Sequence, residues 1–164
     1  MKKYYSVLCI AFLSAFLFSC KQSDISLSDS QSAEVKADVL KLADSTAKDI
    51  STKGPIAWLD HFEDSPGFFM ASGGSLAFPD YHTADSFIKG TVVKVMPKIT
   101  LKWSDIRVDP LTAQIAIMGA GFHEDVTDPS GKITPYDGYF TATVHHTEKG
   151  WKYRDEHWSM KPGK

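Results

Sequence analysis

At Pro97 the hydrophobic period of this chain changes, and that change constrains the fold more than any other feature. Before it, apolar residues recur at steps of three and four, as on helices with one buried stripe. From Lys98 onward the period is two. Ile99, Leu101, Trp103 and Asp105 alternate with Thr100, Lys102, Ser104 and Ile106, the pattern of a strand with two distinct faces. Three further strands are predicted, at Gln114 to Glu124, Tyr136 to Thr147 and Trp151 to Met160. Turn signals at Asp109-Pro110, Asp128-Pro129-Ser130-Gly131 and Glu148-Lys149-Gly150 separate the four. Helices first and an antiparallel meander afterwards predict an α+β domain, with helices on one face of a curved sheet.

The first helix is read from Ala33, Ala37, Leu40, Ala43, Ala47 and Ile50, a stripe of mostly small residues. Gly54-Pro55 ends it and opens a short second helix with Trp58, Leu59 and Phe62 inward. Phe68 to Ser72 and Ser75 to Phe78 flank Gly73-Gly74 as a hairpin. Thr83 is the expected N-cap of a third helix, whose face is Phe87, Ile88, Val92, Val95 and Met96 and which Pro97 stops.

The N-terminus reads as a leader. Lys2 and Lys3 precede an apolar run from Val7 to Phe18, interrupted by Ser14, and Leu17-Phe18-Ser19-Cys20 follows. A charged start, a short apolar stretch and a small residue before the cut make a secretory signal peptide. The run is too short for a membrane span, which takes about 20 apolar residues. With Cys20 directly after the small residue, it resembles a bacterial lipoprotein signal. The resulting expectation is a signal at 1–19, a lipidated Cys20 with a flexible tether to 32, one domain at 33–160 and a tail at 161–164. Lipid on Cys20 would hold the domain to a membrane of the bacterial cell envelope. Inner or outer membrane stays open.

Composition narrows the partners. A formal net charge of -2 does not suggest a nucleic-acid partner, which would leave a basic face or stripe. The two cysteines are Cys9, which leaves with the signal, and Cys20, so the domain has no thiolate ligand and no disulfide. His123-Glu124-Asp125 with Asp128 reads as an acidic loop without calcium-hand spacing, and no metal is assigned. No hydrolase elbow, dinucleotide loop or phosphate loop is present, so no cofactor is expected.

The order of elements, together with Leu101-Lys102-Trp103, Thr127 to Lys132, Asp137-Gly138-Tyr139-Phe140-Thr141, Gly150-Trp151-Lys152 and His157-Trp158-Ser159, resembles the nuclear transport factor 2-like superfamily. The nearest likeness is to its polyketide-cyclase-like (SnoaL-like) branch. The resemblance implies a cystatin-like cone, in which a curved antiparallel sheet wraps three N-terminal helices around an internal pocket. It also implies a common tendency to dimerise. It does not choose a function, because such folds host isomerases, cyclases, dehydratases, hydrolases and proteins without known catalysis. Gly119 and Gly121 are expected to let the sheet bend.

Candidate chemistry comes from strand parity. On the last strand, strict alternation puts Trp151, Tyr153, Asp155, His157 and Ser159 on the concave face, with Trp158 and Met160 outside, where they can meet a second copy. Asp155 and His157 are then a candidate acid/base pair. The alternative reading is a structural polar pair. On the preceding strand, Asp137 and Tyr139 can reach a ligand carbonyl or hydroxyl, or Tyr139 can fill core. Trp58, His61 and Phe62 are expected to line the pocket, with His61 on a solvated helix face as the alternative. Phe69 and Trp103 complete the ligand-binding candidates.

Three functions follow. The first is a lipid-tethered cone binding a small, partly apolar molecule. The second is a small-molecule enzyme of isomerase, cyclase or hydrolase type. The third is a non-catalytic dimerisation module. An enzyme requires a buried carboxylate or His with a shifted pKa inside the cavity. A partner module requires a filled cavity and an apolar outer face around Trp158.

Overall fold

The computed structural model describes residues 27–162. The leader and the lipidation expected at Cys20 lie outside the described residues. A 25-residue helix, α1 (Asp29–Lys53), opens the domain. Its N-cap is Ser28, whose hydroxyl accepts from the Gln31 amide while the Gln31 side chain accepts from the Ser28 amide. This capping box satisfies two of the amides that a helix start leaves free. The helix therefore begins four residues before Ala33, inside the stretch expected to be tether. Its buried stripe is also rotated from the expected one. Val35, Val39, Leu42, Ala43, Thr46 and Ile50 are buried, while Leu40 is 40% exposed. The larger branched side chains bury more apolar surface than the alanines, and they choose the face.

Gly54, at φ +80°, leads into a 3-10 turn at Pro55–Asp60. Strands β1 (Phe69–Ser72) and β2 (Ser75–Phe78) form the expected hairpin. The next helix, α2 (Tyr81–Phe87), is capped by Asp80, not Thr83. The Asp80 carboxylate accepts from the Thr83 amide at 2.7 Å. The helix continues through one π-helical turn (Ile88–Val92) and a last α-helical turn (Val93–Val95).

The meander follows as β3 (Lys98–Pro110), β4 (Ile115–Thr127), β5 (Ile133–Thr147) and β6 (Gly150–Met160). The sheet has six strands in the order β2-β1-β6-β5-β4-β3. All pairings are antiparallel except β1 with β6, so the sheet is mixed. Helix α1 lies across β3, where the Trp103 indole donates to the Ala43 carbonyl and the Leu101 amide donates to Ser51 Oγ, both at 3.0 Å.

Two bulges set which side chains face the helices. In β3, Ser104 pairs with Gly121 and Arg107 with Gly119, so Asp105 and Ile106 share one partner residue. Asp105, at φ +49°, turns out to solvent and the half-buried Ile106 joins the core, reversing the expected parity there. In β6, Tyr153 pairs with Val144 and Asp155 with Thr143, which leaves Arg154 as an extra residue. The Asp155 carboxylate accepts from the Thr143 amide at 3.0 Å at this irregularity. Past Arg154 the parity is inverted. Glu156 and Trp158 are buried, and His157 and Ser159 are exposed.

The core is aromatic at its centre. Trp158, only 6% exposed, meets the rings of Trp58, Trp103, Phe122 and Phe140 at centroid distances of 4.7–6.3 Å. Gly138 makes room for this packing. A Cβ there would stand 2.2 Å from the Ser159 carbonyl oxygen and 2.6 Å from the Phe122 ring. The expectation that Trp158 sits on the outer face is thus corrected, and the apolar outer face required for a partner module loses its central residue.

Candidate functional site

Between the concave sheet face and the helices lies a cavity of about 240 Å³. Each wall arises from an element already described. The 3-10 turn and the residues after it supply Trp58 and Phe62. Phe62 is held by a bridge from its segment to β6, in which the Tyr153 amide donates to the His61 carbonyl and the Glu63 amide to the Tyr153 carbonyl. Met70, Ser72 and Phe78 come from the hairpin, and Ile88 and Val92 from the π-helical turn. A π turn inserts one residue into a helix and is frequent at functional sites. Phe87, Tyr136 and Met160 also line the cavity while 41–48% exposed, so they form its mouth.

Two acids stand inside this apolar wall. Glu124 occupies the inward register of β4, in line with Ala116, Met118, Ala120 and Phe122, all buried. Glu156 occupies the inward register of β6 because of the Arg154 bulge. They are 5% and 3% exposed. Burial raises the Glu124 carboxyl to about 7, with the charge of His123 opposing the rise. Burial likewise raises Glu156 to about 8, with the hydrogen bond from Trp158 opposing the rise and the charges of Asp155 and Glu124 adding to it. Desolvation dominates in both because, among the described residues, no cationic side chain lines the cavity. The Trp158 indole donates to Glu156 Oε2 at 3.0 Å. Among the described residues, Glu124 Oε1 and the indole nitrogen of Trp58 are buried and have no hydrogen-bond partner.

The expected site residues divide. Trp58 and Phe62 line the cavity. Trp103 is core, packed on Phe140 and tied to α1. His61 is buried against α1, with Nε2 3.2 Å from Asp49 Oδ2, and burial lowers its pKa in spite of that carboxylate. It is neither a pocket wall nor a solvated histidine. Asp137 and Tyr139 are exposed on the outer face, since β5 turns Gly138, Phe140, Ala142 and Val144 inward. Tyr139 lies over Gly119, where a Cβ would be 3.0 Å from its hydroxyl. Gly119 thus clears space on the outer face, a role beyond the bending expected of it. Asp137 pairs with His123 Nδ1 at 3.0 Å.

Asp155 and His157 also face outward. They border a shallow depression with Phe69 and Ile117, outside the cavity, and the concave-face assignment is corrected by the bulge. Phe69, at 42% exposure, belongs to that outer face too. Glu124 and Glu156 were missed. A signal for Glu124 existed, because the alternation Ala116, Met118, Ala120, Phe122 runs straight on to it. Reading residues 123–125 as a loop broke that alternation, whereas β4 continues to Thr127. Among the described residues no group of three or more His, Cys, Asp or Glu is placed to hold a metal.

No protein-family model matches the chain, and no curated protein matches it. Solved structures do match. A nuclear transport factor 2 (NTF2-like) superfamily protein from Salmonella enterica is 16% identical, covers 80% of this chain and 94% of its own, and superposes with a TM-score of 0.68. The hexachlorocyclohexane dehydrochlorinase LinA-type3 from Novosphingobium barchaimii is 10% identical, with 82% and 92% coverage and a TM-score of 0.65. A protein of unknown function with a cystatin-like fold from Nostoc punctiforme is 10% identical, with 80% and 94% coverage and a TM-score of 0.60. At these identities the likeness concerns architecture. The chain has the fold of the nuclear transport factor 2-like superfamily.

Proposed function

We propose that this chain holds a small, largely apolar molecule in the cavity between its helices and its concave sheet. The observation that carries the reading is the cavity itself. Its volume of about 240 Å³ exceeds the roughly 150 Å³ that suffices for one benzene ring, and its wall is aromatic and aliphatic except for the two acids, Ser72 and the polar atoms of Trp58, Tyr136 and Trp158. Indane, a compact bicyclic hydrocarbon, is a suitable probe. Its titration is expected to change the fluorescence of Trp58 and Trp158 saturably and to raise the thermal midpoint. Val92→Phe, which fills the cavity from the π-helical turn, is expected to abolish both effects. Absence of both effects in the unmodified protein would refute the reading.

A second reading is favoured by the two acids. A buried carboxyl with a pKa near neutrality is suited to general acid–base work, and an enzyme was expected to show such a group. The activity would then be proton transfer on a molecule in the same cavity. Exchange of the α-hydrogens of 2-indanone into D2O separates the readings. Catalysed exchange that disappears in Glu124→Gln while indane still binds supports the enzyme, and uncatalysed exchange alone supports simple binding.

The sequence of the leader supports tethering of this domain to an envelope membrane through lipid on Cys20. Cys20→Ser is expected to move the protein from the membrane to the soluble fraction of the cell. A variant that stays with the membrane contradicts the tether.

A further inference from the structure

Two buried polar atoms lack partners among the described residues: the indole nitrogen of Trp58 and Oε1 of Glu124. Both belong to residues that line the same cavity. Leaving a buried polar group unpaired is costly, so two on one cavity point to something that satisfies them. The chemistry of the two atoms restricts what that is. An indole N–H only donates, so the occupant must offer it an acceptor. The Glu124 carboxyl accepts a hydrogen bond when ionised and donates one when protonated. The other acid, Glu156, already receives the Trp158 indole.

Charge restricts the occupant further. Among the described residues, two carboxyls and no cationic side chain line the cavity, which disfavours an anion. An ammonium group suits the carboxyls but has no lone pair for Trp58. A hydroxyl carries both functions, a lone pair for the Trp58 indole and a donor or acceptor for Glu124. We infer that the cavity selects an uncharged apolar molecule bearing a hydroxyl group, read by Trp58 and Glu124. This inference rests on the proposed binding function and names the ligand class for it.

Four probes with one apolar body test it: indane, 2-indanol, 2-aminoindane and indane-2-carboxylate, titrated calorimetrically into the protein at pH 7. The inference expects 2-indanol to bind tightest, about 5–30-fold better than indane, the range expected for one or two hydrogen bonds. Trp58→Phe and Glu124→Met are each expected to erase most of that advantage, read as the ratio of 2-indanol to indane affinity within the same variant, so that a change in the cavity common to both probes cancels. Equal affinity for indane and 2-indanol would overturn the inference and leave the apolar cavity standing. Tightest binding of the amine or the carboxylate would overturn it in favour of a charge-selective site. Binding of none of the four would overturn both the inference and the function it rests on.

Discussion

Replacing Glu156 by Gln is expected to raise the thermal midpoint at pH 9 by about 5–15 °C and to leave it within a few degrees at pH 4. The sign follows from linkage. The carboxyl titrates near 4.5 when exposed and at about 8 in the fold. A group whose folded pKa is raised contributes stability that is fully present below the unfolded value and is lost as pH rises through the folded one. The loss therefore accumulates from about pH 4.5 to about pH 8 and is complete above it. Glu124, raised to about 7, adds a second loss over a narrower window. A shift of one pKa unit corresponds to about 1.4 kcal/mol, so each acid withdraws several kcal/mol from the fold at alkaline pH. Gln keeps a carbonyl oxygen for the Trp158 indole and has no charge to bury. Thermal denaturation followed by circular dichroism at the two pH values measures the effect. An equal change at both would mean that ionisation of Glu156 is not the cause.

Deleting Arg154 is expected to preserve cooperative unfolding, with a midpoint close to that of Arg154→Ala, because Arg154 is the extra residue of the bulge. With Tyr153 still opposite Val144 and Asp155 opposite Thr143, the shortened strand alternates regularly and keeps Glu156 and Trp158 inward. A strand that kept Arg154 without the bulge would instead put Asp155, His157 and Ser159 inward and turn Glu156, Trp158 and Met160 outward. Losing Trp158 from its cluster alone costs about 3–5 kcal/mol. Burying Asp155 without a partner adds to this, against a total stability of about 5–15 kcal/mol for a typical domain. Arg154→Ala is the control. It keeps the residue count and removes a half-buried guanidinium that lies over Gly67. That variant should unfold cooperatively with a midpoint only a few degrees lower. A deletion variant that loses its cooperative transition while Arg154→Ala keeps one would contradict this pairing.

The same bulge explains why the fold was legible in the sequence and the site was not. Element type follows from period, and the period changes cleanly at Pro97. Turn residues mark most boundaries because Gly and Pro limit what the backbone does on either side of them. Trp58 and Phe62 were readable as inward residues of a short helix. Face assignment on a strand is more fragile, since a single extra residue inverts every position after it. Nothing in Tyr153-Arg154-Asp155 announces the irregularity. No glycine marks it, and the Asp155 carboxylate meets an amide on β5, which is visible only once the two strands are paired. Asp155 and His157 were placed inside and Glu156 outside for that reason alone. Glu124 was hidden differently. Its parity was plain along β4, but three charged or polar residues in a row at 123–125 resemble a loop by composition. On β4 they are two outward residues flanking one buried acid.

The two acids are the centre of this account, and their titration can be observed directly. Carbon-13 NMR of protein labelled at the glutamate side-chain carboxyls, recorded from pH 3 to pH 10, should show two carboxyl resonances that change near pH 7 and pH 8 and are absent from that range in Glu124→Gln and Glu156→Gln respectively. Titration of every glutamate below about pH 5 would place both groups in water and contradict an apolar cavity that desolvates them.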